Sequence, residues 1–87
     1  MSNIAARESF RYSTKLSVIR ALLNLPADRR LPVSLIADHA VVSRPTATYA
    51  LQALQREGVV IIEGHRCKRY QVDRQAAIKR GYIGESL

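Results

Sequence analysis

The run Gly64-His65-Arg66-Cys67-Lys68-Arg69 sets an imidazole, a thiol and three cations side by side. Such a set suits four chemistries. A metal site would use His65 and Cys67, but His39 is the one remaining soft ligand, and closed structural zinc sites take four. A redox-sensing thiol is the second: Arg66 and Lys68 flank Cys67 and favour its thiolate, although an incidental strand cysteine explains it more simply. A hydrolytic site is the third, and neither histidine has a nucleophile or carboxylate partner legible in sequence. The fourth is contact with a polyanion through His65, Arg66, Lys68 and Arg69. No glycine-rich phosphate cradle is present. The chain is therefore expected to be no enzyme, to bind no metal, and to need neither cofactor nor small-molecule substrate.

Charge agrees with the fourth chemistry. Fourteen Lys and Arg stand against seven Asp and Glu, a formal charge of +7 over 87 residues. Cations placed near phosphates release condensed counterions, so such an excess favours a polyanionic partner. By itself the charge separates neither DNA, RNA, anionic membrane nor acidic protein. A composition 47% hydrophobic and 24% charged is that of one globular domain over residues 1–87, marginal as a monomer. The single cysteine excludes an internal disulfide and fits a reducing compartment. Residues 1–10 carry Arg7 and Glu8 and do not resemble a signal peptide, and no apolar run approaches bilayer length. A cytoplasmic, nucleoid-associated location follows as an expectation.

The basic run needs elements to hold it. Apolar residues Leu16, Ile19, Leu22 and Leu23 predict a helix over residues 14–25 with Ser13 as its cap, stopped by Pro26. Before it, residues 1–12 read as a short helix or an arm; after it, residues 27–30 read as a polar loop. Leu31-Pro32-Val33 suits a short strand pairing with a later hairpin. A second helix is predicted over 34–40, with Leu35, Ile36 and Ala40 inward and Ala37 allowing close packing. Ser43 then caps a third, which has Pro45 in its first turn, where the missing amide costs little. Ala47, Ala50, Leu51 and Leu54 are its inner stripe, and Gly58 closes it. Val59-Val60-Ile61-Ile62 is a β-branched strand, residues 63–66 a turn, and Tyr70-Gln71-Val72 the return strand. Asp73 caps a last helix over 74–80. Helices, hairpin and basic loop in this order make a mainly α, α+β fold. It is a winged helix-turn-helix with a three-helix core, a β-hairpin wing and a short C-terminal helix. Residues 14–72 would be the core module and 73–87 the C-terminal helix and tail.

The stretches from Val33 to Thr48 and from Leu51 to Val60 resemble the winged helix-turn-helix of small bacterial, phage and plasmid transcriptional regulators, of the MarR, ArsR and GntR types. The resemblance implies DNA binding with the second helix of the motif in the major groove. Two positions depart from the pattern. The turn position four residues after Ala37, commonly glycine, is Val41, whose β-branch resists positive φ and predicts another turn geometry. Ala47 stands where Val or Ile is usual, implying closer helix packing.

On this reading the outer face of the 44–56 helix contacts DNA through Arg44, Pro45, Thr46, Thr48, Tyr49, Gln52 and Arg56. Gln52 suits adenine, Thr48 offers a hydroxyl or methyl, Tyr49 a phosphate or thymine-methyl contact, and Arg44 and Thr46 lie at the phosphate-facing helix start. His65, Arg66, Lys68 and Arg69 on the wing suit backbone or minor groove. The expected function is sequence-specific binding of double-stranded DNA as a transcriptional regulator, a repressor acting by occupancy. An architectural or plasmid-maintenance DNA-binding protein and a winged-helix protein-interaction module are the alternatives. Ile4, Phe10, Ala76, Ala77, Ile78, Tyr82 and Ile83 are apolar positions beyond the motif. Their readings are intramolecular packing or a homodimer interface for a two-fold operator.

Overall fold

Six elements follow one another: α1 (Asn3–Asn24), α2 (Val33–Ala40), α3 (Arg44–Arg56), β1 (Val60–Glu63), β2 (Arg69–Val72) and α4 (Arg74–Lys79). The computed structural model describes residues 3–26, 29–65 and 68–84, with side chains from residue 12 onward. Arg66 and Cys67, the side chains of Ile4 and Phe10, residues 27 and 28 of the 27–30 loop and the last three residues thus lie outside the described set. Residues 3–12 contain no Pro or Gly and continue α1 without a break. Ser13 is accordingly an interior helical residue and not a cap.

The buried face of α1 is rotated from the one predicted. Val18 and Ile19 are fully enclosed, Thr14, Ala21 and Leu22 are buried, Leu16 is half-buried, and Leu23 is exposed. Two overlapping stripes at three- and four-residue spacing exist in this helix, and the neighbours choose the one with smaller residues. Those neighbours are α2 and α3, both packed directly on α1. From α2 come Ile36, Ala37 and Ala40; Leu35 is partly buried against the same core. From α3 come Ala47, Ala50, Leu51 and Leu54, the predicted inner stripe. Small Ala37 and Ala47 let the helices approach closely. Each of Ile19, Ile36 and Leu54, fully buried, contributes about 1.5–3 kcal/mol of apolar transfer.

β1 and β2 pair antiparallel, Val60 opposite Val72, Ile61 opposite Gln71, Ile62 opposite Tyr70 and Glu63 opposite Arg69. Facing residues share a side of the sheet, so the pairs alternate. Val60, Val72, Ile62 and Tyr70 turn to the core, while Ile61, Gln71, Glu63 and Arg69 face solvent. Burial raises the Tyr70 phenol's pKa. No strand forms at Leu31-Pro32-Val33, because Val33 already opens α2. Among the described residues one bond of the expected pairing is present: the Leu31 amide donates to the Lys68 carbonyl at 2.9 Å.

Three helices end in the same hydrogen-bonded closure. After α2, Val41 N donates to Asp38 O at 3.2 Å and Val42 N to Ala37 O at 3.0 Å; after α3, Gly58 N and Val59 N donate to Gln55 O and Leu54 O at 3.0 and 2.9 Å; Gly81 and Tyr82 repeat this after α4. This is the Schellman arrangement, whose first residue must be left-handed. Two of the three closures use glycine there. The third uses Val41 at φ 59°, ψ 49°. The expectation that a valine would force a different turn is therefore wrong. Two closing bonds and the half-buried Val42 behind them outweigh the local cost, roughly 1–2 kcal/mol for an L-residue.

Candidate nucleic-acid interface

The turn delivers α3 to the surface with its start defined by side chains. Thr46 N donates to Ser43 Oγ at 3.3 Å, and the Ser43 hydroxyl donates to Thr46 Oγ1 at 2.7 Å. Ser43 is the cap the sequence predicts, and Pro45 follows in the first turn, where no amide is missed. Beyond the cap, Arg44, Pro45, Thr48, Tyr49, Gln52 and Arg56 are exposed, and Thr46 is half-buried by its cap bond. From Pro45 to Arg56 the axial rise is about 16 Å at ~1.5 Å per residue. No acidic residue interrupts this helix, whose formal charges are Arg44 and Arg56 alone.

An acid does stand just past its end. Glu57 occupies the C-cap, where the helix dipole disfavours negative charge, and three cationic or hydroxyl partners from other segments hold it. Lys15 Nζ of α1 lies 2.6 Å from one carboxylate oxygen; the Tyr82 hydroxyl donates to the other at 2.7 Å, with Arg80 4.0 Å away. Burial pushes the Glu57 carboxyl up, but the hydrogen bonds from Lys15 and Tyr82 and the charges of Lys15 and Arg80 win, and its pKa is lowered. Tyr82 moves the other way: burial, then the bond and charge of Glu57, raise its phenol. Tyr12 stacks on Tyr82, ring centroids 5.4 Å apart at 18°, and donates its hydroxyl to Gly81 O at 2.7 Å. The base of α3 is thereby tied both to α1 and to the chain after α4. Sequence reading missed this anchor. The visible signal was an acid at a helix C-terminus, a position that calls for cationic company.

On the hairpin, His65 is exposed, Lys68 half-buried and Arg69 exposed. Arg69 was expected as a tip cation; it sits instead within the β2 ladder, its guanidinium 3.6 Å from the Glu63 carboxylate across the strands. An exposed pair of this kind is worth about 0–1 kcal/mol and is screened by salt. The candidate residues thus form two groups, the outer side of α3 and the wing. Among the described residues no cluster of three His, Cys, Asp or Glu could hold a metal ion, and no helix is long and apolar enough to cross a membrane.

A three-helix core whose third helix exposes its outer side, followed at once by an antiparallel hairpin and a short closing helix, defines a winged helix-turn-helix fold. Among solved structures the chain is similar to one titled as a transcriptional regulator of the MarR family from Silicibacter pomeroyi. The likeness has 24% identity and a TM-score of 0.51, over 95% of this chain and 75% of that one. No protein-family model and no curated protein matches the sequence.

Proposed function

We propose that this protein binds double-stranded DNA sequence-specifically and regulates transcription, as a repressor acting by occupancy. The observation that carries this reading is the outer side of α3, an exposed, acid-free surface from Arg44 to Arg56 whose inner side is fully used by the core. Such a helix enters the major groove end-on or lengthwise, with Thr48, Tyr49 and Gln52 toward base edges and Arg44 and Thr46 toward phosphate. Arg56 lies at the far end of the same face. His65, Lys68 and Arg69, with Arg66 between them in sequence, supply the flanking backbone or minor-groove contact. The structural likeness to a protein titled a transcriptional regulator supports the same class.

We read residues 1–87 as one functional unit that acts as a homodimer on a two-fold site. Ala77 is buried in the chain's own core and Ala76, Tyr82 and Ile83 pack partly buried against it, so intramolecular packing takes up part of the surface expected for this interface. Location in the cytoplasm, on the nucleoid, belongs to the same proposal.

The deciding experiment is a gel shift against random and genomic duplexes at two salt concentrations, followed by footprinting. A short protected site and preferential affinity support a repressor. Protection that lengthens with protein concentration indicates an architectural protein. Affinity no better than weak non-specific binding at every sequence indicates a protein-docking module, and the proposal is then wrong.

A further inference from the structure

The loop between α1 and α2 ends in Arg29-Arg30-Leu31, and the fold brings it to the wing. Leu31 is buried in the core at 8% exposure, and its amide bonds the Lys68 carbonyl at 2.9 Å. Arg30 is thus one residue from a backbone bond to Lys68, itself the neighbour of Arg69 in β2. Both Arg29 and Arg30 are exposed, and among the described residues neither has an ion-pair partner. Pro32 follows at once as the N-cap of α2 without any side-chain cap bond, so the positive end of that helix adds to the same neighbourhood. The Leu31–Lys68 bond therefore brings the segment carrying exposed Arg29 and Arg30 beside the one carrying Lys68 and Arg69. Read along the chain, the first two are only a polar loop.

We infer that Arg29 and Arg30 form a second phosphate-backbone contact beside the wing, carrying affinity without reading sequence. The inference rests on the DNA-binding reading above. Guanidinium groups suit this role because they pair bidentately with phosphate oxygens and are weakly hydrated. Their place one residue from the wing's bonded edge sets them beside the wing and not on α3, which suits contact with phosphates more than with base edges.

The test is the salt dependence of duplex binding in the full-length chain, for wild type, R29Q/R30Q and R74Q/K79Q. The last variant removes the same two charges from α4. That helix starts at the hairpin's base, where Asp73 N donates to Val59 O at 2.7 Å, a strand's length from the Glu63–Arg69 end. At about 0.9 in slope per neutralised phosphate, R29Q/R30Q should flatten the log–log salt slope by roughly 1–2. It should also weaken all duplexes alike and leave sequence preference unchanged, and R74Q/K79Q should keep the wild-type slope. Thermal melts of both variants confirm that each is folded. A wild-type slope retained by R29Q/R30Q overturns this inference while leaving DNA binding standing, as does an equal loss in both variants, which would mark bulk charge. A wild type with no salt-dependent duplex binding removes the DNA reading itself, and this contact with it.

Discussion

Val41→Gly should stabilise this protein, although it deletes a side chain and creates no contact. Val41 sits at φ 59°, ψ 49° with 88% of its surface exposed. Relieving a left-handed L-residue returns about 1–2 kcal/mol. Against this, the small part of the side chain that is buried forfeits about 0.3 kcal/mol, from ~1.5–3 for a fully buried valine. Glycine's extra freedom in the unfolded chain costs a further 0.5–1 kcal/mol or so. The balance is a gain of about 0.5 kcal/mol, a rise in Tm of roughly 2–4 °C for a domain of this size. Gly58→Ala is the mirror experiment. Gly58 has φ +79° in the same closure, and a Cβ there would meet nothing within 4 Å, so any penalty is conformational. It should lose about 0.5–1 kcal/mol, since alanine must hold a left-handed angle. Urea titrations of both variants and wild type, fitted with a common m-value, read the two shifts directly. A Val41→Gly protein less stable than wild type, beside a Gly58→Ala protein unchanged, would refute the claim that backbone strain resides in the helix-turn-helix turn. The strain then invites a functional question, because Val41 precedes the Ser43 cap that aims α3.

Other outcomes follow from the same geometry. Gln52→Ala should leave folding intact and cut discrimination between preferred and random duplexes about tenfold, within the ~1–3 kcal/mol of one bidentate base contact; competition binding checks it, and an unchanged ratio removes Gln52 from base reading. Glu63→Gln should free Arg69 and tighten low-salt duplex binding by about two- to fivefold, as an exposed ion pair of 0–1 kcal/mol permits; no change in the titration would show that Arg69 stays off the phosphates. Glu57→Gln should destabilise the fold at pH 7 by roughly 1–2 kcal/mol, because it weakens a partly buried charged hydrogen bond. The folded Glu57 pKa is lowered, so its contribution is full above the unfolded value, about 4.3, and disappears as pH falls through the folded one. Wild type and Glu57→Gln should consequently converge in melts taken below that range, and a gap that persists in acid would contradict the ion-pair account.

Much of the scaffold is legible along the chain because its signals are local. The Ala47, Ala50, Leu51, Leu54 spacing sets which side of α3 is inward, whatever packs there. Ser43 and Asp73 mark helix starts through bonds to amides three residues on, and Gly58 and Gly81 mark ends through their own φ. The β-branched run and its return strand announce the hairpin. Other features depended on partners distant in sequence. Which stripe of α1 is buried was chosen by α2 and α3, so Leu23 went outward and Val18 inward. Val41 accepted a left-handed angle because the closure and Val42 held it there. Lys15, Glu57 and Tyr82 met across three elements, Glu63 claimed Arg69, and Leu31 carried two arginines to the wing. Periodicity and capping are properties of a few consecutive residues, whereas a helix's rotation and a charge's partner are settled only when separate surfaces compete for the same space.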